Sequence, residues 1–128
     1  MAKTHIYLAA PYCGTLHEVH ERMERIAEYS AEMRRRGNYV TTPLFHHWTL
    51  QESDVSLGSY WEDYSEELLV GLSLLRGLGK SVHVHLLQLP GWKESKGVER
   101  ELVVAERLEL PVEVISIEQF NRVLAAHV

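Results

Sequence analysis

Apolar residues fall along this chain in two alternating patterns. Short unbroken runs rich in β-branched and aromatic residues alternate with longer stretches whose apolar positions recur at three and four. Thr4 to Ala10 is the first run and reads as a strand buried on both faces. A helical stripe opens at Thr15 with Leu16, Val19, Met23, Ile26, Ala27, Ser30 and Met33, and Gly37 supplies its C-cap. Asn38 to Thr42 is a short second strand closed by Pro43. Leu44 to Ser59 is polar and aromatic without periodicity, and a connection of that length reads as a lid, a binding loop or disorder. Tyr60 to Leu78 returns to helical spacing through Trp61, Tyr64, Leu68, Leu72 and Leu75. Val82 to Leu89 is a third strand, Ser95 to Leu108 a third helix, Val112 to Ser116 a fourth strand and Ile117 to Ala126 a closing helix.

Strands alternating with helices of crossover length predict an α/β fold, a three-layer α/β/α arrangement around a Rossmann- or flavodoxin-like parallel sheet of four to five strands. The 128 residues make one domain, 1–128. In such sheets ligands bind beyond the carboxyl ends of the strands. That edge receives the loops Ala10 to Gly14, Pro43 to Ser59 and Leu89 to Ser95.

Composition narrows the partners. The formal charge is −5 and the basic residues are scattered, which argues against polymeric nucleic acid but not against a single nucleotide. The one basic run, Arg34-Arg35-Arg36, suits the last turn of a helix. One cysteine, Cys13, precludes an internal disulfide and fits a reducing, cytoplasmic setting. The first apolar run is too short for a signal peptide, and no segment has the length and character of a membrane span.

The chemistry-bearing stretch is QLPGWKESKGVERELVVAERLELPV, Gln88 to Val112. Pro90-Gly91 makes a turn and Trp92 offers a wall or stacking surface. Ser95 suits an N-cap, and Gly97 lets a ligand approach the helix N-terminus, a site for anions. Glu101, one turn on, is expected to stay ionised through the dipole and nearby donors, and a carboxylate so placed suits attack on a sugar's electrophilic carbon. Glu99, in the same turn, is expected to be exposed. Spacing alone leaves Glu101 more often a solvated helix residue than a catalytic one.

Three segments, IYLAAPYCG, YWEDYSEELLVGLSLL and LPGWKESKGVERELVVAERLELPV, together resemble the nucleoside 2-deoxyribosyltransferase-like superfamily, in particular its small bacterial and phage branch. The resemblance runs from Ile6 to about Val114, with LPGW-x-x-S-x-G-x-x-x-E its most specific part. It implies that Glu101 is the nucleophile toward the anomeric carbon and that Tyr7 lies close to it and orients it. It further implies that Ser95 and Gly97 contact sugar or 5′-phosphate, and that Ala10, Pro11 and Gly14 line the same cleft. The implied reaction cleaves or exchanges the N-glycosidic bond of a small-molecule nucleotide or 2-deoxynucleoside. It needs no cofactor and proceeds in a homodimer or larger homo-oligomer. The family's base-contacting aspartate has no counterpart, since no carboxylate lies between Glu67 and Glu94. Either Asp63, Glu66 or a residue of the long loop replaces it, or the base is protonated differently. A non-catalytic nucleotide-binding module on the same fold is the alternative.

Eight histidines invite a metal reading, but no Cys cluster or H-E-x-x-H pattern accompanies them, so no metal is expected. His83 and His85 share a strand face with Leu87 and read as packed beneath a helix. His46, His47 and Trp48 suit base stacking or lid contacts as well as an ordinary loop. Cys13 has no base beside it in sequence and reads as a small cleft-lining residue.

Overall fold

A computed structural model describes residues 3–12, 15–46 and 60–126. Four strands, β1 (Thr4–Ala9), β2 (Tyr39–Thr41), β3 (Ser81–Leu87) and β4 (Val112–Ile115), form one sheet in the order β2-β1-β3-β4. Every neighbouring pair is parallel. The helices are α1 (Leu16–Arg35), α2 (Tyr60–Gly77), α3 (Lys96–Arg107) and α4 (Ile117–Ala125), with a 3₁₀ turn at Pro43–His46. The expected α/β architecture is therefore present, with element ends within a few residues of the pattern-based boundaries.

Alternation along the strands divides the core into two layers. Ile6, Leu8, Leu87 and Ile115 pack with Val19, Met23, Ile26 and Tyr29 of α1 and Phe120 of α4. Tyr7, Ala9, Val82, Val84 and Leu86 pack on the other face with Leu69 and Leu72 of α2 and Val98, Val104 and Ala105 of α3. Such burial is worth roughly 1.5–3 kcal/mol for each large apolar side chain.

The helix ends are built locally. Thr15 caps α1 in a capping box with Glu18. Beyond α1, the amides of Gly37 and Asn38 bond the carbonyls of Arg34 and Met33, and Gly37 takes the positive φ that this Schellman turn needs. The arginine run does close α1, and both Arg35 and Arg36 pair with the buried Glu32. The same turn ends α3 through Glu109, the only non-glycine residue with positive φ among those described. No described helix is long and apolar enough to cross a membrane.

On α2 the stripe read in the sequence holds at Leu72, while Ser65 and Leu69 are buried in place of their neighbours Tyr64 and Leu68. Ser65, Leu69 and Leu72 are buried, while Leu68 and Leu75 are partly covered. The small polar Ser65 interrupts the apolar pattern and conceals where that face is centred.

Candidate active site

The cleft lies where topology directs it, at the carboxyl edge of the sheet between β1, the 3₁₀ turn, α2 and the start of α3. A cavity of about 440 Å³ opens there, within the range usual for small-molecule sites. Ala10, following β1, and Leu44, in the 3₁₀ turn, supply apolar wall. Trp61, Ser65 and Leu69 of α2 supply another, and Ser95 to Gly97 form the mouth beside α3.

Glu101 lies in the cavity wall and is only 7% exposed. Tyr7, fully buried on the sheet face beneath α3, donates its hydroxyl hydrogen to Glu101 Oε2. Ser65 of α2 is buried in the same wall, and its hydroxyl donates to the Trp61 carbonyl at 2.9 Å. These groups come from α2, β1 and α3, so three elements surround the carboxyl.

The expectation that Glu101 stays ionised is corrected. Burial outweighs the hydrogen bond from Tyr7 and pushes the carboxyl up to about 8. The dipole effect fades within the first turn, whereas Glu101 sits on the second among Ala10, Leu69 and Val104. The Tyr7 phenol is raised by burial first, then by the Glu101 charge and hydrogen bond, so it remains a donor.

Ser95 caps α3 as expected, its hydroxyl accepting from the Val98 amide at 3.2 Å. The first amides of a helix have no partner within it, so Ser95, Lys96 and Gly97 bring donors and one cation to the cavity mouth. A methyl group added at Gly97 would meet only Ser95 Oγ, at 3.8 Å, so the fold itself does not require glycine there. Glu99 is exposed, as expected.

Other expected residues stand elsewhere. Pro11 is buried between Ala10 and Tyr12, which both line the cavity, and its carbonyl accepts from Arg22 of α1. Gly91, with φ of 91°, turns the chain, and Trp92 packs back against the α2–α3 core. Both border a separate shallow depression with Gln88 and Ile117. Neither lines the cavity that holds Glu101. Gly14, Cys13, His47 and Trp48 lie outside the described residues, as does the His46 side chain.

Sequence reasoning left Trp61 open between core and cleft, where the cavity wall now has it, and missed Ser65 and the charged rim. Arg100 reaches Glu62 at 3.6 Å, Asp63 at 3.2 Å and Glu66 at 3.4 Å. Two of the candidate replacements for the absent aspartate, Asp63 and Glu66, are thus held by one guanidinium. Glu94 also lines the cavity and lies beside the Ser95 cap. The signal for the rim was the E-D-x-x-E spacing on α2, which puts Glu62, Asp63 and Glu66 along one side of the helix.

Among the described residues, one cluster has metal-ligand character, and it lies away from this cavity: His83, His85 and Glu113. No family model matches this chain, and no curated protein matches it.

Proposed function

We propose that this protein cleaves or exchanges the N-glycosidic bond of a nucleotide or 2-deoxynucleoside. The observation that carries the proposal is the Tyr7–Glu101 hydrogen bond, which holds a buried carboxyl at the wall of a nucleoside-sized cavity. The resemblance to the nucleoside 2-deoxyribosyltransferase-like superfamily adds support, because its motif falls on these same two residues.

The ionised Glu101 attacks the anomeric carbon, forming a carbon–oxygen bond as the carbon–nitrogen bond to the base breaks. The leaving base takes up a proton, for which Glu62, Glu66 and Glu94 are the other carboxyl groups lining the cavity. Water or a second base then displaces Glu101 from the sugar and restores the free carboxylate. With the Glu101 carboxyl near 8, about a tenth is ionised at pH 7, so turnover rises with pH toward that value. Tyr7 holds the attacking carboxyl in place by donating to one of its oxygens. Ser95, Lys96 and Gly97 bind the sugar or its 5′-phosphate, and Trp61 with Leu44 provides apolar surface for the base. The reaction calls for no cofactor, and a homodimer or larger homo-oligomer in the cytoplasm fits the same reading.

A second reading, nucleotide binding without turnover, is favoured by the engagement of Glu62, Asp63 and Glu66 with Arg100. Incubating the protein with a panel of nucleotides and deoxynucleotides and separating free bases by chromatography distinguishes the two. Release from at least one substrate supports the enzyme. Saturable binding without release supports the binding module.

A further inference from the structure

On the sheet face opposite the cavity, three potential metal ligands converge from two strands. His83 and His85 stand two apart on β3 and therefore project to one side, away from Val82, Val84 and Leu86. Glu113 of β4 is in register with His85. One ligand atom from each residue lies within 4.8 Å of the other two.

We propose that His83, His85 and Glu113 bind a divalent first-row transition-metal cation, zinc foremost, and so clamp the edge strand β4 to β3. In a tetrahedral zinc site with bonds of about 2.0–2.1 Å, ligand atoms stand roughly 3.3–3.4 Å apart. The Nε2 of His85 is already 3.3 Å from Glu113 Oε2. His83 is half-buried and Glu113 exposed, so rotation of these two side chains can close the remaining gap. His83 is paired to β1 through its backbone, and its side chain makes no hydrogen bond to another described residue.

The third observation is the support behind His85. That ring is 7% exposed, and its Nδ1 lies 2.8 Å from the Tyr29 hydroxyl of α1. Tyr29 is itself stacked on Phe120 at 5.3 Å, which fixes where its hydroxyl points. Metal-bound histidines usually have their second nitrogen held by a partner of this kind. The Tyr29 hydroxyl can donate to Nδ1 or accept from it, according to the tautomer of His85. With the ring hydrogen on Nδ1 and the Tyr29 oxygen accepting its hydrogen bond, the Nε2 lone pair is free for the cation.

Two imidazoles and one carboxylate form a mixed nitrogen–oxygen set, which suits zinc, cobalt or nickel and not magnesium or calcium. The half-exposed position leaves a fourth place for water. A structural role follows from the location, since Val112, Glu113 and Val114 are all exposed and β4 has one neighbour only among the described strands.

The full-length chain, stripped with a chelator, is titrated with zinc chloride by calorimetry and with cobalt chloride by visible absorption. We expect one equivalent of zinc, tetrahedral cobalt bands, a higher Tm with zinc, and no competition from excess magnesium. His83→Gln and Glu113→Gln, at half-exposed and exposed positions, should stay folded and lose at least about ten-fold in zinc affinity. Tyr29→Phe should lose roughly ten-fold while keeping the stoichiometry. Absence of saturable binding to the wild type overturns the proposal. So does binding that neither His83→Gln nor Glu113→Gln weakens, which would place the ion elsewhere. None of these readouts depends on base release.

Discussion

The Tyr7 hydroxyl donates to a carboxylate oxygen of Glu101, 94 residues further along the chain and on the opposite side of the strand–helix interface. Both groups are buried, and each depends on the other for its polar partner. Replacing Tyr7 with Phe leaves the Glu101 carboxyl unsatisfied in an apolar wall, at about 1–3 kcal/mol in stability. The bond lowers the Glu101 pKa, so its loss moves the alkaline rise in base release to still higher pH. A pH–rate profile of Tyr7→Phe reads this directly; an unshifted profile would separate Tyr7 from the ionisation of Glu101.

Stability should also report the buried carboxyl. Unfolded, Glu101 titrates near 4.3; folded, near 8. Below about pH 4 both states hold the proton, and burial carries no charge cost. Between about pH 4.3 and 8 the unfolded chain releases its proton while the folded one keeps it, so stability falls with rising pH until the loss is complete above 8. Glu101→Gln removes this dependence. Its unfolding free energy relative to wild type, read by denaturant titration, should climb from pH 4 to pH 9, by an amount on the order of a few kcal/mol at the upper end.

Gly97 separates fold from function. Because an added methyl meets only Ser95 Oγ at an ordinary distance, Gly97→Ala should leave the fold intact or stabilise α3 by up to about 1 kcal/mol. The same methyl projects at the cavity mouth and should weaken nucleotide binding. Thermal unfolding and a binding titration on one preparation test both halves; a tighter or unchanged affinity would remove Gly97 from the ligand's path.

Glu109 ends α3 with φ of 56°, a conformation that costs a side-chain-bearing residue about 1–2 kcal/mol. Glu109→Gly relieves that strain at some entropic cost in the unfolded chain, for a net gain of about 0.5–1 kcal/mol. A denaturant titration should show a higher midpoint at unchanged slope.

How much of this was legible in the sequence depended on where each residue's partners lie. The four strands announced themselves because the inner strands are buried on both faces and carry unbroken apolar runs, such as Ile6 to Ala9. Ser95 was legible as a cap because capping is local. That Tyr7 and Glu101 meet came from a family resemblance, and their geometry from the fold. The ionisation of Glu101 was misjudged because the dipole is visible in a helix pattern, whereas the wall of Ala10, Leu69 and Val104 is assembled from three distant segments. Trp92 looked like a ligand surface because it sits in a loop at the ligand edge; its packing onto the α2–α3 core is set by the turn at Gly91. Ser65 was missed since a hydroxyl within an apolar stripe reads as an interruption until its neighbour Tyr7 is in view.

The central claim is that Glu101 forms a covalent bond to a sugar, and trapping that bond tests it most directly. Wild type, Glu101→Ala and Glu99→Gln are each incubated with slow 2-fluoro nucleoside and nucleotide analogues, and the intact masses are measured. Wild type and Glu99→Gln should each gain one glycosyl unit, mapped by peptide digestion to Glu101, while Glu101→Ala gains nothing. On natural substrate, Glu101→Ala should lose at least about 10³-fold in base release. A glycosyl mass found on Glu101→Ala, or base release by that variant equal to wild type, would contradict the account.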